Sequence, residues 1–171
     1  YSEIHPFSIS IEKIKSLKPT GIVLSGGPCS VYDEDAPHSD PEVFNLGVPV
    51  LGICYGAQLM IQQLGGQVEK ADKREFGKAE LSVNFTEGLF ASLETGEAHH
   101  QVWMSHGDRV EVVPEGFEAT ATSDHSPYAA MRHKEKPFVA VQFHPEVAHT
   151  LIGNDVLRNF IFGICNCSPT W

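Results

Sequence analysis

The stretch that most constrains the fold is VPVLGICYGAQLMIQQLGG, residues 48–66. Its first half is a short apolar run, typical of a buried strand, and its second half has apolar residues at helical spacing before a double glycine. Cys54 lies where the pattern changes. A strand followed directly by a helix predicts an α/β architecture, and it leaves two interpretations of Cys54: a nucleophile at a tight turn, or a small apolar residue that ends a strand.

Composition limits the class of protein. A chain of 171 residues has the length of one domain, and its formal net charge of −10 argues against a nucleic-acid partner, which would need clustered Lys and Arg. No stretch is apolar over the roughly 18–20 residues of a membrane span, so no membrane partner is expected. The four cysteines are too few and too unevenly spaced for a disulfide framework, which favours a reducing, cytoplasmic location.

The order of the remaining segments predicts a sheet with two parts. TGIVLSGGP at 20–28 and PFVAVQFHPE at 137–146 are typical of buried strands that end in loops. From residue 77 onward, short alternating runs such as KAELSVNF, HQVWMSHGD and FEATATS indicate strands that are partly antiparallel. We therefore predict an α/β domain with a mainly parallel central sheet flanked by helices and an added, smaller antiparallel β section.

The segment from Gly52 to Gly56 has the Gly-x-nucleophile-x-Gly form of a strand-to-helix nucleophile elbow. Glycines suit both ends because the nucleophile has a strained backbone, and a side chain at either position would collide with neighbouring backbone. The N-terminus of the following helix would favour the thiolate of Cys54 over the thiol, and its amides could hold an oxyanion. Buried structural cysteines are common, so the elbow needs a partner base to favour catalysis.

A candidate base follows another apolar run, in FVAVQFHPEV. His144 and Glu146 flank Pro145, and strand alternation would place both side chains on the same side of the chain. The carboxylate could then orient the imidazole while the imidazole faces Cys54, which is a triad in the chain order Cys, His, Glu. Taken alone, His-Pro-Glu is more often an ordinary turn. The two motifs together favour catalysis, because both lie at carboxyl ends of strands, where open parallel sheets place their ligand sites.

The SGGP motif at 25–28 is a weaker candidate. Pro28 has no N–H and no helix signal follows directly, so a nucleotide-binding fingerprint is disfavoured. Glycines suit a backbone that approaches a ligand closely, and an oxyanion donor from Gly26 or Gly27 is one interpretation. A plain turn is the other.

Two further motifs have competing interpretations. MSHGD at 104–108 is predicted to end a strand, where a polar turn competes with a binding segment. The His pair at 99–100 and the Cys-x-Cys at 165–167 each lack a matching second pair at structural-zinc spacing. We therefore predict no metal site.

The motifs SGGP, GICYGAQ, WMSHGD and VQFHPEVAHT together resemble those of the class I, triad-type glutamine amidotransferase family, which has a flavodoxin-like fold. The likeness extends from YSEIHPF at the first residues through ICNC near the end. GICYG with FHPE is shared across the family. WMSHGD and HPEVAHT are narrower, and they indicate a branch that serves purine nucleotide synthesis.

The resemblance implies a role for each matching residue. Cys54 would attack the side-chain amide of L-glutamine, His144 would pass the thiol proton to the departing ammonia, and Glu146 would orient His144. Backbone N–H groups of Tyr55 and of the loop at Gly26 and Gly27 would hold the oxyanion, and water would hydrolyse the thioester to glutamate. The residues implied to contact the glutamine substrate are Gln58, Ser105, His106, Gly107 and Asp108.

The resemblance also implies partners. Ammonia would pass to an ATP pyrophosphatase synthetase domain, in cis or in trans, where ATP and Mg²⁺ activate xanthosine monophosphate; no cofactor is expected in residues 1–171. We expect this range to be a single amidotransferase domain that lacks the synthetase domain and the first strand and helix of the family, with a homodimer formed through the part outside it. The alternatives are a class I amidotransferase for another acceptor, a γ-glutamyl cysteine hydrolase, and a regulatory module without turnover.

Overall fold

The computed structural model describes residues 1–93 and 99–169, except for the side chains of residues 72 and 73. The strands are β1 (Ile22–Leu24), β2 (Val50–Ile53), β3 (Gln67–Val83), β4 (His99–Val112), β5 (Phe117–Thr122), β6 (Ala130–His133) and β7 (Phe138–Val141). They form one seven-stranded sheet in the order β1-β2-β7-β6-β5-β3-β4. The α-helices are α1 (Ile11–Leu17), α2 (Tyr55–Gln63) and α3 (Gly153–Arg158), and shorter helical segments are a π-helix at Asn159–Ile164 and 3₁₀ turns at Pro41–Asn45 and Gly88–Phe90. Within this described part of the chain, no helix has the length and apolar character needed to cross a membrane.

The strands β1, β2 and β7 are parallel neighbours. Val50 of β2 pairs with Ile22 on one side and with Phe138 on the other. Every residue of β2 and β7 is buried, as near-continuous apolar runs predict for strands that are covered on both faces. The loops that follow these three strands meet at one edge of the sheet, because parallel strands end on the same side.

The other four strands are antiparallel, and this part is larger than the sequence suggests. β6 pairs with β7, so both parts belong to one continuous mixed sheet. β3 and β4 pair from Gln67 opposite Val112 to Ser82 opposite His99, with register shifts between Gln67 and Val68 and between Lys70 and Glu75. The prediction that a strand ends at residues 104–108 was wrong: cross-strand pairing carries β4 through this polar stretch, although the apolar alternation is interrupted there.

Each face of the sheet has its own hydrophobic core, because alternate residues of a strand point to opposite sides. Leu51 packs in one core with Phe160 of the C-terminal π-helix. Val50 packs in the other with Met60 and Ile61 of α2. Burial of a side chain of this size contributes about 1.5–3 kcal/mol. Helices therefore cover both faces, which confirms the predicted α/β class, and the two cores fix the end of β2.

Candidate active site

Cys54 lies between β2 and α2 with a backbone conformation that few residues adopt. Its φ of 49° and ψ of −108° fall outside the regions that are favourable for a side chain with a Cβ. Its N–H donates to the carbonyl of Val141 at 2.8 Å, and its carbonyl accepts from the N–H groups of Ala57 and Gln58, each at 3.1 Å. These backbone hydrogen bonds hold Cys54 in the strained conformation that the elbow motif predicts.

Gly52 and Gly56 allow close backbone packing around this turn. A Cβ on Gly52 would lie 2.7 Å from the Cα of Ala57, and a Cβ on Gly56 would lie 2.1 Å from the carbonyl oxygen of Leu24. The prediction that a side chain at either glycine collides with backbone is confirmed. As a consequence, the first turn of α2 packs directly on β1.

Burial controls the ionisation of Cys54. It raises the pKa of the thiol to about 11, because a buried thiolate loses its hydration. The backbone N–H of Tyr55 lowers this pKa, the Glu146 carboxylate raises it, and the side-chain amide of Gln142 lowers it. The N–H of Tyr55, at the start of α2, therefore acts in the predicted direction, but burial outweighs it. Cys54 is a thiol at neutral pH, and its chemistry requires a base.

His144 and Glu146 are in direct contact. The Nδ1 of His144 lies 2.7 Å from Oε1 of Glu146. A carboxylate only accepts, so Nδ1 carries a proton, and Nε2 is the acceptor atom of the neutral ring. This Nε2 is buried and has no hydrogen-bond partner among the described residues. The His144 side chain is 17% exposed and that of Glu146 is 48% exposed, so the imidazole is enclosed while the carboxylate reaches solvent.

The loop after β1 lies against both His144 and Cys54. A Cβ on Gly26 would lie 3.0 Å from Cε1 of His144 and 3.5 Å from Cβ of Cys54. A Cβ on Gly27 would lie 3.7 Å from the ring of Tyr55. The loop therefore approaches the nucleophile with its backbone rather than with side chains, which is the approach that an oxyanion donor needs.

The backbone of His144 is fixed by β4 and Thr150. The N–H of His144 donates to the carbonyl of Trp103 at 2.9 Å. The hydroxyl of Thr150 donates to the carbonyl of His144 at 2.6 Å and accepts from the N–H of Trp103 at 3.0 Å. A Cβ on Gly153 would lie only 2.0 Å from the carbonyl oxygen of Pro145, so α3 starts directly against the His-Pro-Glu turn.

The predicted substrate-contact residues occupy different environments. The carbonyl of Ser105 lies 3.6 Å from Sγ of Cys54 and accepts its S–H hydrogen bond. Gln58 is buried, and its Nε2 donates to the carbonyl of Asp108 at 2.7 Å and to Oε1 of Gln142 at 3.1 Å. Ser105 therefore lies next to the nucleophile, whereas the amide nitrogen of Gln58 already has two protein partners.

The His106 side chain belongs to a buried polar cluster. Its Nδ1 lies 2.9 Å from the carbonyl oxygen of Asp108, and its Nε2 lies 3.1 Å from Oε2 of Glu75. The hydroxyls of Ser123 and Ser126 donate to the same carboxylate, at 3.0 and 2.6 Å. Burial acts to raise the pKa of Glu75, but the hydrogen bonds from His106, Ser126 and Ser123 together hold it below its ordinary value. His106 therefore uses both ring nitrogens within the protein.

Gly107 is the remaining residue of the predicted binding segment. A Cβ on Gly107 would lie 3.7 Å from Nε of Arg74, which is an ordinary contact distance. Lack of space therefore does not require a glycine here, and the Arg74 side chain lies beside this part of β4.

The sequence-based prediction missed three residues around the site: Gln142, Thr150 and Glu75. Gln142 is only 1% exposed, and its Nε2 lies 3.7 Å from Sγ of Cys54. The sequence does contain a signal for it, because Gln142 is the one polar residue in the apolar run FVAVQF. Thr150 and Glu75 have no comparable signal, since the contact of Thr150 with Trp103 and that of Glu75 with His106 join segments that are distant in sequence.

Comparison with known proteins adds independent evidence. The family model described as "Glutamine amidotransferase class-I" matches residues 1–164. The "GMP synthase [glutamine-hydrolyzing]" of Desulfotalea psychrophila is 71% identical over 171 residues, which is 100% of this chain and 33% of that protein. The protein of the same name from Bacillus subtilis is 53% identical over the same length, again 33% of that protein. The chain thus spans about a third of the length of the curated relatives it matches.

Solved structures show the same likeness. A candidate GMP synthase subunit from Thermoplasma acidophilum has a TM-score of 0.79 and 32% identity, covering 96% of this chain and 80% of that one. A glutamine amidotransferase from Thermotoga maritima shares the fold, with a TM-score of 0.67 at 22% identity over 95% of this chain and 70% of that one. The chain belongs to the class I glutamine amidotransferase family, and the predicted family and fold class are confirmed.

Proposed function

We propose that this domain hydrolyses L-glutamine to glutamate and ammonia, with Cys54 as nucleophile, His144 as base and Glu146 as the residue that orients it. One observation carries the proposal. The contact between Nδ1 of His144 and Glu146 leaves a buried, unpartnered Nε2 on a ring that flanks Gly26 together with the strained Cys54. A buried acceptor nitrogen on a ring that packs against the same glycine as Cys54 supports a general base that serves this thiol.

In the proposed reaction, Sγ of Cys54 bonds to the side-chain amide carbon of glutamine while its proton moves to Nε2 of His144. The C–N bond then breaks, and His144 gives this proton to the departing nitrogen, which leaves as ammonia. Water attacks the resulting thioester, with His144 as base, and the products are glutamate and the restored thiol. The positive charge that His144 acquires is stabilised by Glu146 at 2.7 Å.

Oxyanion stabilisation is assigned to the backbone N–H groups of Tyr55 and of the loop at Gly26 and Gly27. Two facts support this assignment. Tyr55 directly follows Cys54 as the first residue of α2, and its N–H acts to lower the pKa of the thiol. Gly26 lies against both Cys54 and His144 without a side chain. Backbone amides that are fixed in advance stabilise a developing negative charge at no cost of reorganisation.

We assign glutamine recognition to Gln58 and to the β4 segment that contains Ser105, His106, Gly107 and Asp108. The proximity of the Ser105 carbonyl to Sγ supports it. Because the side chain of His106 is satisfied inside the protein, we infer that this segment uses its backbone for the α-amino and α-carboxylate groups. The amide nitrogen of Gln58 is occupied, so any contact of Gln58 with substrate is made by its Oε1.

We further propose that the ammonia serves the amination of xanthosine monophosphate to GMP by an ATP pyrophosphatase synthetase domain, which would hold ATP and Mg²⁺. The similarity to proteins named GMP synthase, of which this chain matches a third, supports this acceptor. The synthetase domain would be joined in cis or act in trans, and a homodimer formed through it remains a prediction. A cytoplasmic location is likewise proposed, because all four cysteines are free thiols.

The nucleophile is tested by labelling with an electrophilic glutamine analogue, followed by peptide mass spectrometry. We expect one adduct, on Cys54, in the wild type and in a Cys29→Ala control, and none in Cys54→Ala. Labelling at another residue, or equal labelling of Cys54→Ala, would contradict the assignment. The acceptor is tested with the full-length enzyme: ATP with xanthosine monophosphate should raise glutamine turnover, and indifference to both would favour a free-standing hydrolase.

A further inference from the structure

Gln142 is a buried polar residue outside the proposed Cys54, His144 and Glu146 triad. It lies two residues before His144, and its backbone N–H donates to the carbonyl of Ala129 at 2.8 Å. Its side chain is enclosed between α2 and the nucleophile, with Nε2 at 3.7 Å from Sγ of Cys54 and Oε1 at 3.1 Å from Nε2 of Gln58. A buried amide is costly unless its groups are paired, and both groups of Gln142 have partners.

The direction of this chain of hydrogen bonds is determined by a backbone group. The carbonyl of Asp108 can only accept, so the side-chain group of Gln58 at 2.7 Å from it must be the NH₂. The same NH₂ then supplies its second hydrogen to Gln142, whose facing atom must be the acceptor Oε1. The NH₂ of Gln142 is thereby turned towards Cys54, and this orientation follows from the network alone.

We propose that Gln142 is a further catalytic residue, which donates a hydrogen bond to the sulfur of Cys54 and stabilises its thiolate, and that Gln58 is the positioning residue that keeps the donor facing the sulfur. The inference rests on the proposed function, in which the sulfur of Cys54 is the reacting atom.

The two neighbours of Sγ act in opposite directions when the thiol loses its proton. The carbonyl of Ser105, at 3.6 Å, suits the S–H and repels a thiolate. The NH₂ of Gln142 can donate to sulfur in both states and interacts more strongly with the anion. Consistent with this, the Gln142 amide lowers the pKa of a thiol that burial raises to about 11. Proton transfer to His144 therefore becomes easier because Gln142 is present.

The test measures the alkylation rate of Cys54 by iodoacetamide as a function of pH, resolved by peptide mass spectrometry so that Cys29, Cys165 and Cys167 serve as internal references. Gln142→Met keeps the approximate volume but has no donor. We expect Cys54 in this variant to react about tenfold more slowly at pH 8, with its pH profile displaced to higher pH and the reference cysteines unchanged. An unchanged profile for Cys54 would overturn the proposal.

Two further variants keep the proposal testable if Gln142→Met does not fold. Gln142→Glu retains the acceptor for Gln58 but places a carboxylate near the sulfur, so its Cys54 should react more slowly than that of the wild type. Gln58→Met removes the group that orients Gln142, and about a threefold loss is expected. Gln63→Met is the matched control, because Gln63 lies on the same helix and its Nε2 donates to the carbonyl of Ser39 at 2.9 Å. Wild-type reactivity in both test variants, or an equal loss in Gln63→Met, would count against the proposal.

Failure of the Gln142 proposal can be distinguished from failure of the proposed function. Alkylation reports on the thiolate of Cys54 whether or not glutamine is hydrolysed. If Cys54→Ala still hydrolyses glutamine, the proposed function fails. If that variant is inactive but Gln142→Met and Gln142→Glu leave the alkylation profile unchanged, only the role of Gln142 fails.

Discussion

Two of the His–Glu pairs in the protein, His144 with Glu146 and His106 with Glu75, are chemically alike and structurally opposite. In the pair of His144 and Glu146, one ring nitrogen contacts the carboxylate and the other has no partner among the described residues. In the pair of His106 and Glu75, both ring nitrogens face acceptors, and two serine hydroxyls complete the bonding of the carboxylate. The first pair retains an unused acceptor atom and the second has none. A ring nitrogen without a hydrogen-bond partner, rather than the identity of the pair, distinguishes a candidate base from a structural contact.

The largest expected difference between the two pairs is in activity. His144→Ala should reduce glutamine hydrolysis about a thousandfold, because it removes the general base. Its free energy of unfolding should change by less than about 1 kcal/mol, since the partner carboxylate is half exposed. Glutamate release and urea denaturation measure the two quantities. A large loss of stability with little loss of activity would reverse the roles assigned to the two pairs.

The next effect concerns stability. Glu75→Leu should lower the free energy of unfolding by about 3–5 kcal/mol, because it leaves the buried His106 and Ser126 and the half-buried Ser123 without their acceptor. Glu80→Leu is the control, since Glu80 lies on the same strand, β3, with a side chain that is 75% exposed. Urea denaturation should show less than about 1 kcal/mol for the control. Equal losses in both variants would mean that the buried cluster contributes no more to stability than an exposed glutamate does.

A smaller effect is expected within the candidate catalytic pair. Glu146→Gln keeps the shape but removes the charge that stabilises protonated His144, so kcat should fall about 10–100-fold with KM nearly unchanged. Cys54→Ala should abolish turnover. Equally complete inactivation of a folded Glu146→Gln variant would show that the carboxylate does more than orient and stabilise the imidazole.

The smallest effect is a dependence of stability on pH. The pKa of Glu75 lies below its ordinary value of 4.5 in the folded protein, so the unfolded chain binds this proton at a higher pH than the folded one. The stabilisation is present above about pH 4.5 and is lost as the pH falls through the lower, folded-state pKa. Glu75→Gln should flatten this acid limb in thermal unfolding measured from pH 6 to pH 3. An acid limb identical to that of the wild type would contradict the linkage.

The elbow and the His-Pro-Glu turn could be predicted because each depends on residues close in sequence. Gly52, Cys54 and Gly56 define one turn, and His144 and Glu146 are two residues apart, so local pattern and chain geometry were sufficient. The proximity of the elbow to the His-Pro-Glu turn could be expected once β2 and β7 were taken as parallel strands, because parallel strands end at the same edge of the sheet. The catalytic roles remain predictions, which the proposed labelling experiment addresses.

The rest of the site depends on strand pairing over long distances. Gln142 meets Cys54 across 88 residues, and Glu75 meets His106 across 31, in a part of β3 and β4 that follows a register shift. Register cannot be read from the apolar pattern where polar residues interrupt it, as they do at 104–108. The raised pKa of Cys54 also could not be predicted from the sequence, because the sulfur is buried only once both hydrophobic cores have assembled.

Thr150 links the His-Pro-Glu turn to β4, and this link bears on how fast the two segments open locally. Its single hydroxyl donates to the carbonyl of His144 and accepts from the N–H of Trp103, beside the direct hydrogen bond from the His144 N–H to the Trp103 carbonyl. The turn that presents the imidazole and β4 therefore separate only when all three hydrogen bonds open. The rate of that local opening limits how long the turn keeps the imidazole of His144 in place. Amide hydrogen exchange at Trp103 would read it out directly, since this amide is protected by a side chain that joins two segments and not by a sheet ladder.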